Sequence, residues 1–240
     1  MKIVIVKNYT ELSALAADMI CDTLSRNPSS TLGLATGSTV LGTYSLLRDR
    51  CSRGLVSFKH VTVFNLDEYV GLAPSSVNSY AHFMHLNLFD GTDMDVRNFR
   101  IPLGVAERLE DECKRYDALL SANPRNLQLL GLGSNGHIAF NEPSTPFNSR
   151  THVVELAQST LRDNGRLFGD DGGVPRSAIT MGIADIMAAE RIVLLASGVN
   201  KAQAVYDMVK GDVSVTCPAS ILQRHHDATV ILDEAAAYLL

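Results

Sequence analysis

The chain predicts an α/β fold: a mostly parallel sheet with helices on both faces, a Rossmann-like three-layer arrangement forming a single domain over residues 1–240. Three observations carry that expectation. Short runs of β-branched residues and leucine recur, and they are apolar throughout instead of at every second position, as strands covered on both faces must be. Segments with the 3.6-residue period of amphipathic helices separate these runs, so strand and helix alternate. A length of 240 residues allows roughly three quarters of the unfolded chain's surface to be buried around one core.

The first strand is 3–6, where two isoleucines and two valines follow one another without a polar interruption. Helical periodicity takes over at 11–25, with Thr10 as the capping residue in front of it. The apolar run 31–35 is the second strand, and it passes through Thr36, Gly37, Ser38 and Thr39 into a helix at 40–50. Strand 61–66 follows. Residues 78–89 form a further helical stretch, with His82 and His85 at i, i+3 spacing. No carboxylate or thiolate accompanies that pair in a ligand pattern, so packing or helix-surface duty is expected there instead of a metal site. A helix at 106–122 leads to strand 127–132, a helix at 178–189 to strand 191–196, and a helix at 201–210, opened by Asn200, to the last strand, 229–232. Between 163 and 174, four glycines lie among three aspartates, which suits either a lid over a site or a plain surface loop.

Composition narrows the function. The chain is 46% hydrophobic and 20% charged, and no apolar run approaches the roughly 20 residues that cross a bilayer. The opening run 1–6 ends at Lys7 and Asn8, too short for a signal-peptide core, so a cytoplasmic location is expected. Cys21, Cys51, Cys113 and Cys217 are scattered and form no Cys-x-x-Cys pair, which points to free thiols in a reducing compartment. A net charge of −5 disfavours a nucleic-acid partner, and an anionic ligand must be caught by a local cluster of positive groups.

Three turns concentrate the chemistry. Directly after strand 127–132 begins, residues 131–142 place Gly131, Gly133 and Gly136 around His137 and Glu142. The glycines let backbone turn tightly and approach a ligand. An imidazole beside a carboxylate is suited to moving a proton on and off a substrate oxygen, although a turn with a structural histidine is the plainer reading. The turn Thr36 to Thr39 offers backbone N–H groups, hydroxyls and a helix amino terminus to an anion, or simply caps the helix. It lacks the Gly-Lys-Ser/Thr ending of a nucleotide loop and the Gly-x-Gly-x-x-Gly of dinucleotide folds, so a small phosphorylated metabolite fits better. Asp67 and Glu68 stand at the end of strand 61–66, where such sheets bind ligands; they are candidates for a base that removes a carbon-bound proton, or a solvated acidic loop.

Together these turns resemble the glucosamine-6-phosphate deaminase family. Gly136-His137-Ile138-Ala139-Phe140-Asn141-Glu142-Pro143 is the most specific match, with Leu66-Asp67-Glu68-Tyr69 and Ala35-Thr36-Gly37-Ser38-Thr39 in the family's order and spacing. Arg166, Val174-Pro175 and Asn200-Lys201-Ala202 extend the resemblance over nearly the whole chain. The related 6-phosphogluconolactonases share the Gly-x-Gly and Gly-His elements but continue with a Ser-Leu-Phe-Pro-like run where this chain has Phe140-Asn141-Glu142-Pro143.

The resemblance implies conversion of glucosamine 6-phosphate to fructose 6-phosphate and ammonia without a metal or organic cofactor. It implies Asp67 as the base at C2, His137 as the group that opens the sugar ring, and Glu142 and Asn135 as its orienting partners. The phosphate falls to Thr36, Gly37, Ser38, Thr39, Arg166 and Lys201, with Glu68 also beside the substrate. One branch of the family carries aspartate where this chain has Asn135; an amide holds the imidazole by a hydrogen bond but adds no charge, leaving Glu142 to supply it. Longer relatives are hexamers controlled by an N-acetylated sugar phosphate, and the chain's ending at 240 leads us to expect a smaller, non-allosteric monomer or small homo-oligomer. Two other readings stand beside this one: a lactonase or other sugar-phosphate isomerase of the same fold, and a sugar-phosphate sensor without turnover.

Overall fold

The computed structural model describes residues 1–165, 173 and 175–240. In chain order the elements are β1 Lys2–Val6, α1 Tyr9–Arg26, β2 Thr31–Leu34, α2 Leu41–Ser52, β3 Thr62–Asn65, β4 Asp67–Tyr69, α3 Tyr80–Asn87, β5 Phe99–Arg100, α4 Leu109–Ala122, β6 Leu127–Gly131, β7 His152–Glu155, α5 Gln158–Gly165, β8 Ser177–Thr180, α6 Ile183–Met187, β9 Ile192–Ala196, α7 Ala202–Lys210 and β10 Ala228–Asp233. Seven strands form the main sheet in the order β1-β10-β9-β6-β2-β3-β5, and every pairing in it is parallel. The all-apolar runs explain the arrangement: β9 and β10 are buried at every position, and only helices on both faces can cover them.

The order of the strands locates the site. From β2 the chain moves outward through β3 to β5, returns to β6 in the middle, and then moves the other way through β9 and β10. The direction reverses between β2 and β6, and at such a reversal the loops leaving the strand ends part and leave a crevice. Pairing between these two strands stops early, at Leu32 with Leu127 and Gly33 with Gln128, so their carboxyl ends splay.

Helix α1 shows how local rules set an element. Asn8, not Thr10, is the cap: its side chain accepts the Glu11 amide at 3.0 Å and the helix begins at Tyr9. Leu12, Ala16, Ile20 and Leu24 then fall on one buried stripe. Likewise α7 has no side-chain cap; a 3₁₀ turn, Val199–Lys201, precedes it and takes in Asn200. The expected helix 178–189 is corrected more deeply. Ser177–Thr180 is strand β8, and the helix shrinks to Ile183–Met187. β8 lies antiparallel between β4 and β7 in a second, three-stranded sheet, which supplies pairing partners that helical periodicity cannot reveal. His82 and His85 lie in α3, and among the described residues no three histidine, cysteine, aspartate or glutamate side chains gather to hold a metal.

Candidate active site

A cavity of about 410 Å³ opens at the carboxyl ends of the main-sheet strands. Its walls come from four separate stretches of chain: the turn after β2, the strand β4, the loop after β6, and the turn after β9, with Tyr80 of α3 and Thr160 of α5 completing them. Asp67, His137 and Lys201 all line it, as do Thr36, Gly37, Ser38 and Thr39.

The turns after β2 and β9 share one construction. Each passes through a glycine with positive φ, Gly37 at 104° and Gly198 at 91°, into a 3₁₀ turn and then a helix. Nothing lies within 4 Å of where a Cβ on Gly37 would sit, so conformation alone demands glycine there. Each turn is braced from behind. Tyr9 donates its hydroxyl to Ser38 O at 3.1 Å and accepts the Gly42 amide at 2.8 Å. Asp233, at the end of β10, accepts the Ser197 hydroxyl at 2.5 Å and the Gly198 amide at 3.0 Å. Helix amino termini behind both turns favour an anion between them.

Adjacent residues of a strand face opposite ways, and β4 separates its two carboxylates accordingly. Asp67, 5% exposed, faces the cavity. Burial first, and the charge of Glu68 second, push its pKa well above the ordinary carboxylate range. Glu68 is placed differently. It is 1% exposed, does not line the cavity, and accepts the amides of Tyr69, Tyr80 and Ala81 at 2.9, 3.0 and 3.0 Å. These bonds tie β4 to the amino terminus of α3, where Ser79 is the helix cap.

The loop after β6 builds a relay around His137. The Asn135 amide nitrogen donates to Glu142 Oε2 at 2.8 Å, which turns its carbonyl oxygen toward His137 Nδ1 at 2.7 Å. A carbonyl only accepts, so Nδ1 carries the proton and Nε2 is left with a lone pair. Glu142 Oε2 also lies 3.5 Å from His137 Nδ1. Burial raises the Glu142 carboxyl, but the hydrogen bond and charge of His137, the Thr160 hydroxyl and the Asn135 amide outweigh it and hold it at about 2. Gly133 leaves the room the imidazole fills, since a Cβ there would meet the ring at 2.3 Å. Asn135 and Glu142 stand behind His137 and do not line the cavity.

Several cavity residues were not singled out from the sequence: Tyr80, Thr160 and Ser197 line it, and Asn200 does so in place of capping a helix. Tyr80 packs with Tyr69 and Phe140, and its hydroxyl lies 3.2 Å from that of Tyr69. Arg166 lies outside the described residues, as does most of the 163–174 segment expected as lid or loop.

The family described as "Glucosamine-6-phosphate isomerases/6-phosphogluconolactonase" matches residues 7–231. Glucosamine-6-phosphate deaminase of Thermoanaerobacter sp. (strain X514) is 46% identical, over 100% of this chain and 95% of its own. That of Shouchella clausii is 48% identical over 99% and 96%. A solved monomeric glucosamine-6-phosphate deaminase superposes with a TM-score of 0.97 at 44% identity, covering 100% of both chains. The 6-phosphogluconolactonase of Trypanosoma brucei, at 20% identity and a TM-score of 0.79, shares the fold.

Proposed function

The chain belongs to the family of glucosamine-6-phosphate isomerases and 6-phosphogluconolactonases, and from that premise we propose how its site works as a glucosamine-6-phosphate deaminase, turning glucosamine 6-phosphate and water into fructose 6-phosphate and ammonia. The observation that carries the reading is the meeting of a buried carboxyl group, Asp67, and an oriented imidazole, His137, in one cavity with the turns that suit an anion.

The phosphate docks on the Thr36 to Thr39 turn, with Lys201 of the same cavity supplying positive charge at short range, where distant surface charge is screened; the resemblance adds Arg166, which lies outside the described residues. His137 Nε2 takes the proton of the O1 hydroxyl and returns it to the ring oxygen, which breaks the ring C–O bond and leaves an aldehyde. Asn135 holds the ring orientation, and anionic Glu142 offsets the charge on the imidazolium formed in between. Asp67 then removes the C2 proton and delivers it to C1 while a proton of the C2 amine passes to O1, so the aldehyde becomes an alcohol and the C2 amine an imine. Water adds to that imine carbon, ammonia leaves, and the 2-ketone remains. Burial suits Asp67 to both halves of the transfer, since a carboxyl with a raised pKa is a stronger base and holds the proton until C1 receives it.

Purified protein incubated with glucosamine 6-phosphate should release equal amounts of ammonia and fructose 6-phosphate, and Asp67→Asn should lower kcat by roughly 10²–10⁴-fold. Lactone hydrolysis without ammonia would overturn the assignment. A monomer is the assembly supported by the solved relative, and light scattering of the eluting protein tests it. Among the described residues no helix is long and apolar enough to cross a membrane. A cytoplasmic location is consistent with a phosphorylated substrate and four free thiols, and cell fractionation tests that.

A further inference from the structure

Glu142 is held from two sides, and the second side is not part of the loop that carries His137. Oε2 serves Asn135 and His137. Oε1 accepts the Thr160 hydroxyl at 2.5 Å and the Ala157 amide at 3.3 Å, donors at the amino-terminal turn of α5. Thr160 is 2% exposed and also lines the cavity. Its neighbour Leu161 packs on the cluster of Tyr69, Tyr80 and Phe140, so α5 is anchored on the same wall that carries β4.

We propose that Thr160 is a positioning residue for ring opening: its hydroxyl clamps Glu142, so that α5, an element remote from the His137 loop in sequence, completes the Asn135–His137–Glu142 relay. The proposal rests on the deaminase reading above. The Thr160 hydroxyl makes the shorter of the two contacts to Oε1, and a hydroxyl bound to a carboxylate is among the stronger hydrogen bonds. Without it, Oε1 keeps only the longer amide contact. The carboxylate then gains freedom to turn away from Asn135, and burial acts on it with one less opposing donor, so it takes up a proton at higher pH. A carboxyl that has become neutral no longer balances the imidazolium. His137 is the charged partner that faces Glu142 directly, while Asp67 of β4, Tyr80 of α3 and Lys201 of the turn after β9 line the cavity in front of His137, which Glu142 does not reach, and are unchanged by substitution at 160.

The test uses the full chain and glucosamine 6-phosphate. Thr160→Val keeps the shape and removes the hydroxyl; kcat should fall about tenfold, the loss expected for one hydrogen bond to a charged group. KM should stay within about twofold, and the acid limb of the kcat profile should move to higher pH. Thr160→Ser restores the donor and should recover both kcat and profile. On a Glu142→Gln background, Thr160→Val should add little, because the two changes break one interaction. Thr160→Ala replaces the valine variant if the latter melts below assay temperature. A wild-type kcat and pH profile in the hydroxyl-free variant, a serine variant as impaired as valine, or additive losses in the cycle would each overturn the clamp. Wild-type protein that releases no ammonia would instead overturn the reaction assignment itself, so the two failures are told apart.

Discussion

Asp67 and Glu142 are both buried carboxyl groups near one imidazole, and their surroundings push them in opposite directions. For Asp67, a folded pKa raised by burial means that the protein loses stability as pH rises above the unfolded value, because burial and the neighbouring Glu68 disfavour the charged form. Asp67→Asn removes that cost. The variant should therefore melt above the wild type at pH 8, by about 2–4 °C for each kcal/mol relieved, while the gap closes near pH 4. Calorimetry across that range checks it, and a constant gap would refute it. Glu142 has the other sign: its stabilisation is fully present above the unfolded value of 4.5 and is lost as pH falls through about 2. A shift of that size corresponds to on the order of 3 kcal/mol. Urea unfolding should show wild type minus Glu142→Gln at its largest from pH 5 upward and shrinking toward pH 2.

At the scale of elements, strand β4 is three residues long and decides what two adjacent carboxylates do. One face of it is the cavity; the other is the amino terminus of α3. Glu68→Gln would point an amide NH₂ at backbone donors that need an acceptor, a cost of about 1–3 kcal/mol. The expected result is a lower Tm with KM for the sugar phosphate almost unchanged, whereas a KM rise without a Tm loss would return Glu68 to the substrate. The same scale shows where reading from sequence ends. Strands 31–35, 127–132 and 191–196 were visible as apolar runs and appear within one residue of their expected ends. The 178–189 segment was not: its alanines and isoleucines suit a helix until β4 and β7 offer Ser177–Thr180 a place between them.

The whole molecule carries a net charge of −5, so the anion site proposed above depends on groups acting at close range, the glycine turns after β2 and β9 and Lys201, which line one cavity. Lys201→Met should raise KM for glucosamine 6-phosphate tenfold or more, roughly the value of one lost charge-assisted contact, and should affect substrate binding more than folding. Steady-state kinetics with parallel melting curves separate the two effects. Within 240 residues, the amino-acid order alone determined the alternation of strand and helix and the chemical groups of the site, since strand apolarity, helical period and the need for glycine at a positive φ are properties of neighbours along the chain. Tertiary structure alone decided that Asp67 faces the cavity while Glu68 turns from it, that β8 is a strand, and that Tyr80, Thr160 and Ser197 join His137 around one space. Those outcomes depend on contacts between residues far apart in the chain, whose free energy exists only once the sheet has assembled.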